Sequence, residues 1–250
     1  MNRFGKMDVS IIITAYNYAS YIEECINSCL LQNESSLQYE VIVVDDGSTD
    51  ETPLILEKLN NKLLRKFRIE NSGIEIASNF GFRKALGKYI VRVDADDNLL
   101  PNYLYNMHRN MAKEYDFYYS DYKVIDGDGK VFNKMDLPEF NVAEIRKRGD
   151  FLATGTLYSA DVLKAFCYYS EIIKNSGLEN YDLILRLLEA GKLGKHIPQY
   201  LFCYRRHTLN ISVSKNDQIR RNGGVLFQRL GLGMYVTNEY HPYNPTQGLL

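Results

Sequence analysis

Two runs of apolar, mostly β-branched residues, each ending in a burst of aspartates, constrain this chain most. Tyr39-Glu40-Val41-Ile42-Val43-Val44 leads into Asp45-Asp46-Gly47-Ser48-Thr49-Asp50. Tyr89-Ile90-Val91-Arg92-Val93 leads into Asp94-Ala95-Asp96-Asp97. Runs of this length and composition read as buried strands. In an open α/β sheet the carboxyl ends of neighbouring strands face one crevice, and ligands bind there. Carboxylates crowded on one rim repel one another and resist ionisation. A cation, or a ligand rich in donor groups, offsets that cost.

The remaining residues up to 100 supply the alternation such a sheet needs. A strand at 9–14 is followed by the loop Ala15-Tyr16-Asn17-Tyr18. A helix then carries Ile22, Cys25, Ile26, Cys29 and Leu30 at helical spacing. Asp50 is placed to cap a second helix with Pro53 in its first turn and Leu54, Ile55, Leu56 and Leu59 on its apolar face. A short strand at 67–70 stops at Asn71-Ser72-Gly73, and a third helix spans 74–86. This order predicts a parallel, right-handed doubly wound core. Beyond it the pattern gives a helix over 101–113 and strands over 116–125 and 130–132 around Asp126-Gly127-Asp128-Gly129. It continues with a strand at 155–158, helices over 161–166 and 178–190, and a strand over 200–206. Residues 216–250 read as a helix followed by a tail rich in Pro, Gly, Asn and Tyr.

Composition narrows the function classes. At 250 residues and 45% apolar, the chain can bury a full core; a net charge of -1 gives no basic face for nucleic acid. Cys25 and Cys29 lie four apart with no second close pair to complete a zinc site, so the thiols read as reduced and buried, as in a cytosolic protein. No signal peptide and no membrane span is predicted, which leaves peripheral contact with the inner face of the plasma membrane open. Nothing in the sequence fixes an oligomeric state.

Taken together, six pieces in order resemble the family 2 glycosyltransferases of the GT-A fold. They are Thr14-Ala15-Tyr16-Asn17, Val44 to Asp50, Gly87-Lys88-Tyr89-Ile90 leading to Asp94-Ala95-Asp96-Asp97, Gly155-Thr156, Tyr181-Asp182-Leu183-Ile184-Leu185-Arg186, and Tyr204-Arg205-Arg206-His207 with Asn210 and Ser212. The resemblance implies an α/β, Rossmann-like doubly wound mixed sheet. A nucleotide-sugar donor half (1–100) would be joined to an acceptor half (101–215), with 216–250 as an extension. It implies inverting transfer of a sugar from a nucleotide-sugar, UDP-linked by this reading, to a glycan or lipid-linked acceptor in polysaccharide or glycoconjugate synthesis. Thr14, Ala15, Tyr16 and Asn17 would line the nucleotide pocket, with Tyr16 stacking. Asp46 would accept a hydrogen bond from the base, Asp45 would assist, and Asp94 and Ala95 would lie toward the ribose. Asp96, Asp97 and His207 would meet the metal and diphosphate. Aspartate oxygens are hard ligands suited to Mn²⁺ or Mg²⁺, and such a cation neutralises the charge that grows on a departing diphosphate. Arg205 and Arg206 suit phosphate or a neighbouring carboxylate equally. His108 and His196 read as structural, and Asp182 as a partner for Arg186 at i,i+4.

Two departures from the family pattern stand out. Its Ala-Arg-Asn is Ala77-Ser78-Asn79 here, so the arginine contact is missing or comes from Arg83. Its Glu-Asp pair, whose Asp is the general base, is Glu179-Asn180 here. An amide cannot take the acceptor's proton. Three readings follow: Glu179 serves as base, an aspartate-to-asparagine replacement has inactivated the chain, or the protein binds nucleotide-sugar without efficient transfer. Two rivals outside this family fare worse. A nucleotidyltransferase needs a Gly-rich basic loop, which Thr14-Ala15-Tyr16-Asn17 is not, and a carbohydrate-binding module needs no acidic rim.

Overall fold

The computed structural model describes residues 7–33, 36–148, 152, 154–208, 210 and 215–235; Ser212, His241 and the expected irregular tail lie outside them. In chain order the first half comprises β1 (Val9–Ala15), α1 (Ile22–Leu30), β2 (Tyr39–Asp45), α2 (Thr52–Lys58), β3 (Leu64–Arg68), α3 (Ile74–Lys84), β4 (Tyr89–Asp94) and β5 (Asn98–Leu99). Then follow α4 (Tyr103–Asn110), β6 (Phe117–Ile125), β7 (Val131–Met135), α5 (Val142–Arg148), β8 (Leu157–Ser159), α6 (Ala160–Ala165), α7 (Glu179–Glu189), β9 (Gly194–Arg205) and α8 (Asn216–Leu230).

The strands form one mixed sheet in the order β3-β2-β1-β4-β8-β6-β9-β5, with β7 paired to β6. The β3-β2-β1-β4 portion is parallel, as the sequence predicts. β8 then runs antiparallel to both β4 and β6, and β6 pairs in parallel with β9. Every residue of β1 and β2 is buried, because both faces are covered. The two-residue period divides them. Ile11, Ile13, Val41, Val43, Val91 and Val93 pack with Ile22, Cys25, Ile26 and Cys29 of α1. Ile12, Ile42, Val44 and Ile90 face Ala77 and Phe82 of α3 and the apolar side of α7. The α8 residues Ile219, Leu226 and Phe227 are buried in this second cluster, so the helical part of the expected extension shares the core of the domain.

Two local features matter later. Gly87 precedes β4 where β1 begins, and a Cβ there would lie 2.5 Å from the Ser10 nitrogen and 2.6 Å from the Val9 carbonyl carbon. β9 begins six residues before the expected strand and carries Pro198 at a break in register, where Ile197 pairs with Ser120 but Tyr200 pairs with Asp121. Proline lacks the ladder donor, so it is accommodated in an irregularity of this kind. Leu54, expected on the apolar face of α2, is exposed, and that helix buries Thr52 and Leu56.

Candidate active site

Parallel register brings the two acidic clusters to one edge. Ala15 aligns with Asp45, and Thr14 with Asp94, across β2-β1-β4. The first cluster is held by backbone donors. Asp45 accepts from the Ser48 N–H at 2.9 Å and from Arg68 at 2.8 Å. Asp46 accepts from the Ser72 and Gly73 N–H groups at 2.8 and 2.9 Å, at the entrance to α3. Burial pushes its carboxyl up from the usual range, against those two bonds, with Asp45 and Glu75 adding to the rise. Asn17, at φ 61°, uses its side-chain oxygen to accept from Thr49 and Asp50, so it shapes the β2–α2 loop. Asp50, expected to cap α2, accepts from the Thr52 N–H from one residue ahead of the N-cap, which is Glu51 and makes no side-chain capping bond. Ala15 is buried, Tyr16 stands 44% exposed on the rim, and the Thr14 hydroxyl is buried without a partner among the described residues.

In the second cluster each aspartate has a different partner. Asp94 accepts from Arg92 at 2.7 Å and from the Thr154 hydroxyl at 2.8 Å. Asp96 meets His207 Nε2 and Asn210 Nδ2, both at 3.0 Å. Asp97 is fully buried and accepts the Arg205 N–H of β9 at 2.8 Å. Its Oδ2 has no hydrogen bond among the described residues, Thr154 being turned to Asp94. Burial pushes Asp96 up, and pushes Asp97 well up with Asp96 and Asp94 adding to it. The phenol of Tyr18 is raised by burial and then by the same three carboxylates. His207 stacks on Tyr21 with ring centroids 5.0 Å apart. Arg205 is committed to the fold. Its guanidinium donates to Glu24 and to the carbonyls of Asp96, Asp126 and Gly127, which decides for pairing over phosphate binding at that residue.

The start of α7 joins this rim through Arg92, a residue that the sequence did not assign to the site. Arg92 is buried and donates to Asp94 with one nitrogen and to Glu179 Oε1 with the other, both at 2.7 Å. Its guanidinium lies 5.5 Å above the Tyr169 ring. The signal was an arginine inside the apolar run Val91-Arg92-Val93, since a buried guanidinium needs carboxylate partners. Glu179, at the start of α7, is 7% exposed, and its Oε2 has no partner among the described residues. Burial raises its carboxyl above the ordinary range, Arg92 opposes the rise and Glu75 adds to it. Asn180 faces elsewhere. Its oxygen accepts from the Tyr158 hydroxyl at 2.7 Å, and its Nδ2 donates to the Leu152 carbonyl at 2.6 Å. Both ends of this amide are engaged in the core.

Arg83 is not brought to the rim. It is exposed in the last turn of α3, beside Lys84, whose carbonyl accepts from Arg65 where Arg65 pairs with Glu40 of β2. That is the amino edge of the sheet, at the opposite end of α3 from Asp46. Asp182 holds Arg186 at 2.9 Å, and His196 is fixed by Asp121 at 2.8 Å, as expected for structural groups.

The donor chemistry suits a hard divalent cation: crowded aspartates, two of them raised by burial, and one buried carboxylate oxygen without a partner among the described residues. Among the described residues no three His, Cys, Asp or Glu side chains converge on a point to hold one.

Known proteins fit this geometry. The model of glycosyl transferase family 2 matches residues 10–168. The hyaluronan synthase of Pasteurella multocida is 31% identical over 93% of this chain, which covers 24% of that protein. The chondroitin synthase of Escherichia coli is 32% identical over 94% of the chain, covering 34% of that protein. The chain thus spans between 24% and 34% of the length of these synthases. Staphylococcus aureus TarS in complex with UDP-GlcNAc superposes with a TM-score of 0.72 at 22% identity, covering 94% of this chain and 69% of that one. The mannosyltransferase PcManGT of Pyrobaculum calidifontis, in complex with GDP-Man and Mn²⁺, gives 0.70 at 16% identity over 96% of this chain and 68% of that one. At these identities the structural likeness is one of fold, and that fold is GT-A. With the family model covering more than half of its length, the chain belongs to glycosyl transferase family 2.

Proposed function

We propose that this chain transfers a sugar from a UDP-linked donor to an acceptor hydroxyl, with inversion, in the assembly of a polysaccharide or glycoconjugate. The observation that carries this reading is the Asp94–Arg92–Glu179 bridge: one buried guanidinium joins the donor rim to a buried acid on α7. Relatives named as hyaluronan and chondroitin synthases support the polymer, and the TarS complexes with UDP-GlcNAc and UDP support the nucleotide.

In this reading residues 1–100 bind the donor. Tyr16 stacks on the base, and Asp46, locked by Ser72 and Gly73, accepts the imide N–H of uracil. Thr14 and Asp94 border the ribose. Asp96, Asp97 and His207 would hold Mn²⁺ or Mg²⁺, which when bound neutralises the charge growing on the departing diphosphate. Residues 101–215 present the acceptor, a glycan or lipid-linked glycan. Glu179 is the base, and its open Oε2 takes the proton of the attacking hydroxyl. Arg92 keeps Glu179 oriented and lowers the cost of its ionisation. The O–C bond forms on the face opposite the diphosphate, which leaves with the bonding pair, so the configuration inverts. Asn180 orders Tyr158 and Leu152 around this base, and its engagement removes the main reason to read the chain as a disabled enzyme. The free cysteines accord with a reducing, cytoplasmic setting at the inner face of the membrane; no helix among the described residues is long and apolar enough to cross one.

Thermal-shift screening of a nucleotide-sugar panel with MnCl2 tests this reading, since a ligand that binds the native state stabilises it. A UDP-sugar should raise the melting temperature and release UDP in the presence of oligosaccharide acceptors, with inverted configuration in the product by NMR. Stabilisation by no nucleotide-sugar would end it.

A further inference from the structure

Glu75 lies in the first turn of α3 and is 1% exposed. Among the described residues no cation pairs with it. Its two oxygens instead accept backbone N–H groups from the segment that leads into α7: Oε2 from Asn175 at 2.9 Å and Oε1 from Ser176 at 2.8 Å. The segment answers in kind. Asn175, at φ 50°, points its side-chain oxygen at the Ile74 N–H at 3.4 Å. The Ser176 hydroxyl accepts the Leu178 N–H at 3.1 Å, immediately before Glu179. The Ser176 carbonyl accepts from Asn222 of α8 at 2.9 Å. On the other side of Glu75, Ser72 and Gly73 donate to Asp46. A continuous run of hydrogen bonds therefore leads from the first acidic cluster through the N-terminal turn of α3 to the start of α7.

We propose that Glu75 is a positioning residue that clips the catalytic end of α7 to the donor-site end of α3 and so sets the surroundings of the Glu179 carboxyl. The proposal rests on the reading of Glu179 as base. Two backbone bonds would be made as well by a neutral acceptor, and burying a charge without a cation is costly. The helix N-terminus offsets part of that cost. A charge kept here acts on its neighbours. Burial is the main cause of the raised carboxyls of Glu179 and Asp46, and Glu75 adds to both. The charged groups facing Glu179 are Arg92 from β4, Glu75 from α3 and, across the small cavity between α7 and α8, Asp182 and Arg229. Of these only Glu75 joins two candidate functional carboxylates through the backbone.

The test uses the full chain and needs no turnover for its main readouts. Hydrogen exchange followed by mass spectrometry reads the clip in E75A and E75Q. Peptides spanning 172–180 should exchange faster by about tenfold in E75A, with a smaller effect in E75Q, which keeps one acceptor. Carbon-13 NMR titration of labelled glutamate carboxyls reads the charge, with E179Q assigning the Glu179 signal. In E75Q the Glu179 midpoint should fall by about half a pH unit or more, because a like charge has been removed. UDP affinity in MnCl2 should stay within about twofold, while turnover falls about tenfold or more from a displaced base. Unchanged exchange in both variants, or an unmoved Glu179 midpoint in E75Q, would overturn the proposal. If E179Q retains turnover the base assignment falls instead, and exchange still decides whether the clip exists.

Discussion

At the scale of single residues, the adjacent side chains Glu179 and Asn180 have different surroundings, one paired with Arg92 and the other held by Tyr158 and Leu152. The amide at 180 gives a proton to a carbonyl and takes one from a tyrosine, so a carboxylate there would face the Leu152 oxygen. N180D should therefore lower stability by roughly 1–3 kcal/mol, as measured by urea unfolding, without raising turnover. A gain in turnover would return the base to position 180. E179Q, by contrast, should reduce turnover about 100-fold or more while UDP still binds. The sign of the pH dependence follows from the raised carboxyl of Glu179. In the proposed role a base must be ionised to act, so kcat should fall as pH drops through that raised value. Asp97 makes a separate prediction. Its ionised form is disfavoured in the folded state, a cost present above its raised pKa and lost as pH falls. D97N should thus melt higher than wild type at pH 8, with the gap closing in acid.

Among the elements, those whose pattern was local and two-sided were legible. β1, β2 and β4 could be read because burial on both faces leaves unbroken apolar runs, and α1 and α7 because their apolar residues recur at helical spacing. β3 was expected three residues late, since an edge strand with alternately half-exposed residues carries little pattern. β9 was read only from 200 because Pro198 sits inside it, and no local signal says that a register break will absorb a proline. α5 was missed although Asn141 accepts from the Ala143 and Glu144 N–H groups, an N-terminal signature present in the sequence. Asp46, Asp94 and Asp96 were legible as a rim. The Arg92 bridge was not, because it joins residues 87 apart. α8 supplies the test at this scale. F227A should cost roughly 3–5 kcal/mol by chemical denaturation, as for a core aromatic. A cost near zero would mean that the helix is merely apposed.

For the whole molecule, the sheet changes direction beside the site. β4 is the last strand of the parallel run and borders β8, which is antiparallel to it. The two faces of the proposed reaction are therefore built by different stretches of chain, one from alternating strands and helices and one from the segments around α7. Gly87 lies at the far end of this arrangement. β1 runs seven residues from Val9 to Ala15, so the rim is about 20 Å from Gly87 at the usual rise per residue. A side chain at 87 would press on the backbone of Val9 and Ser10, with no rotamer to relieve it. The contact is with the strand pair whose other ends carry Thr14 and Asp94. The missing methyl at 87 lets β1 and β4 close together at the edge opposite the acidic rim, so a side chain there would force this strand pair apart where it starts.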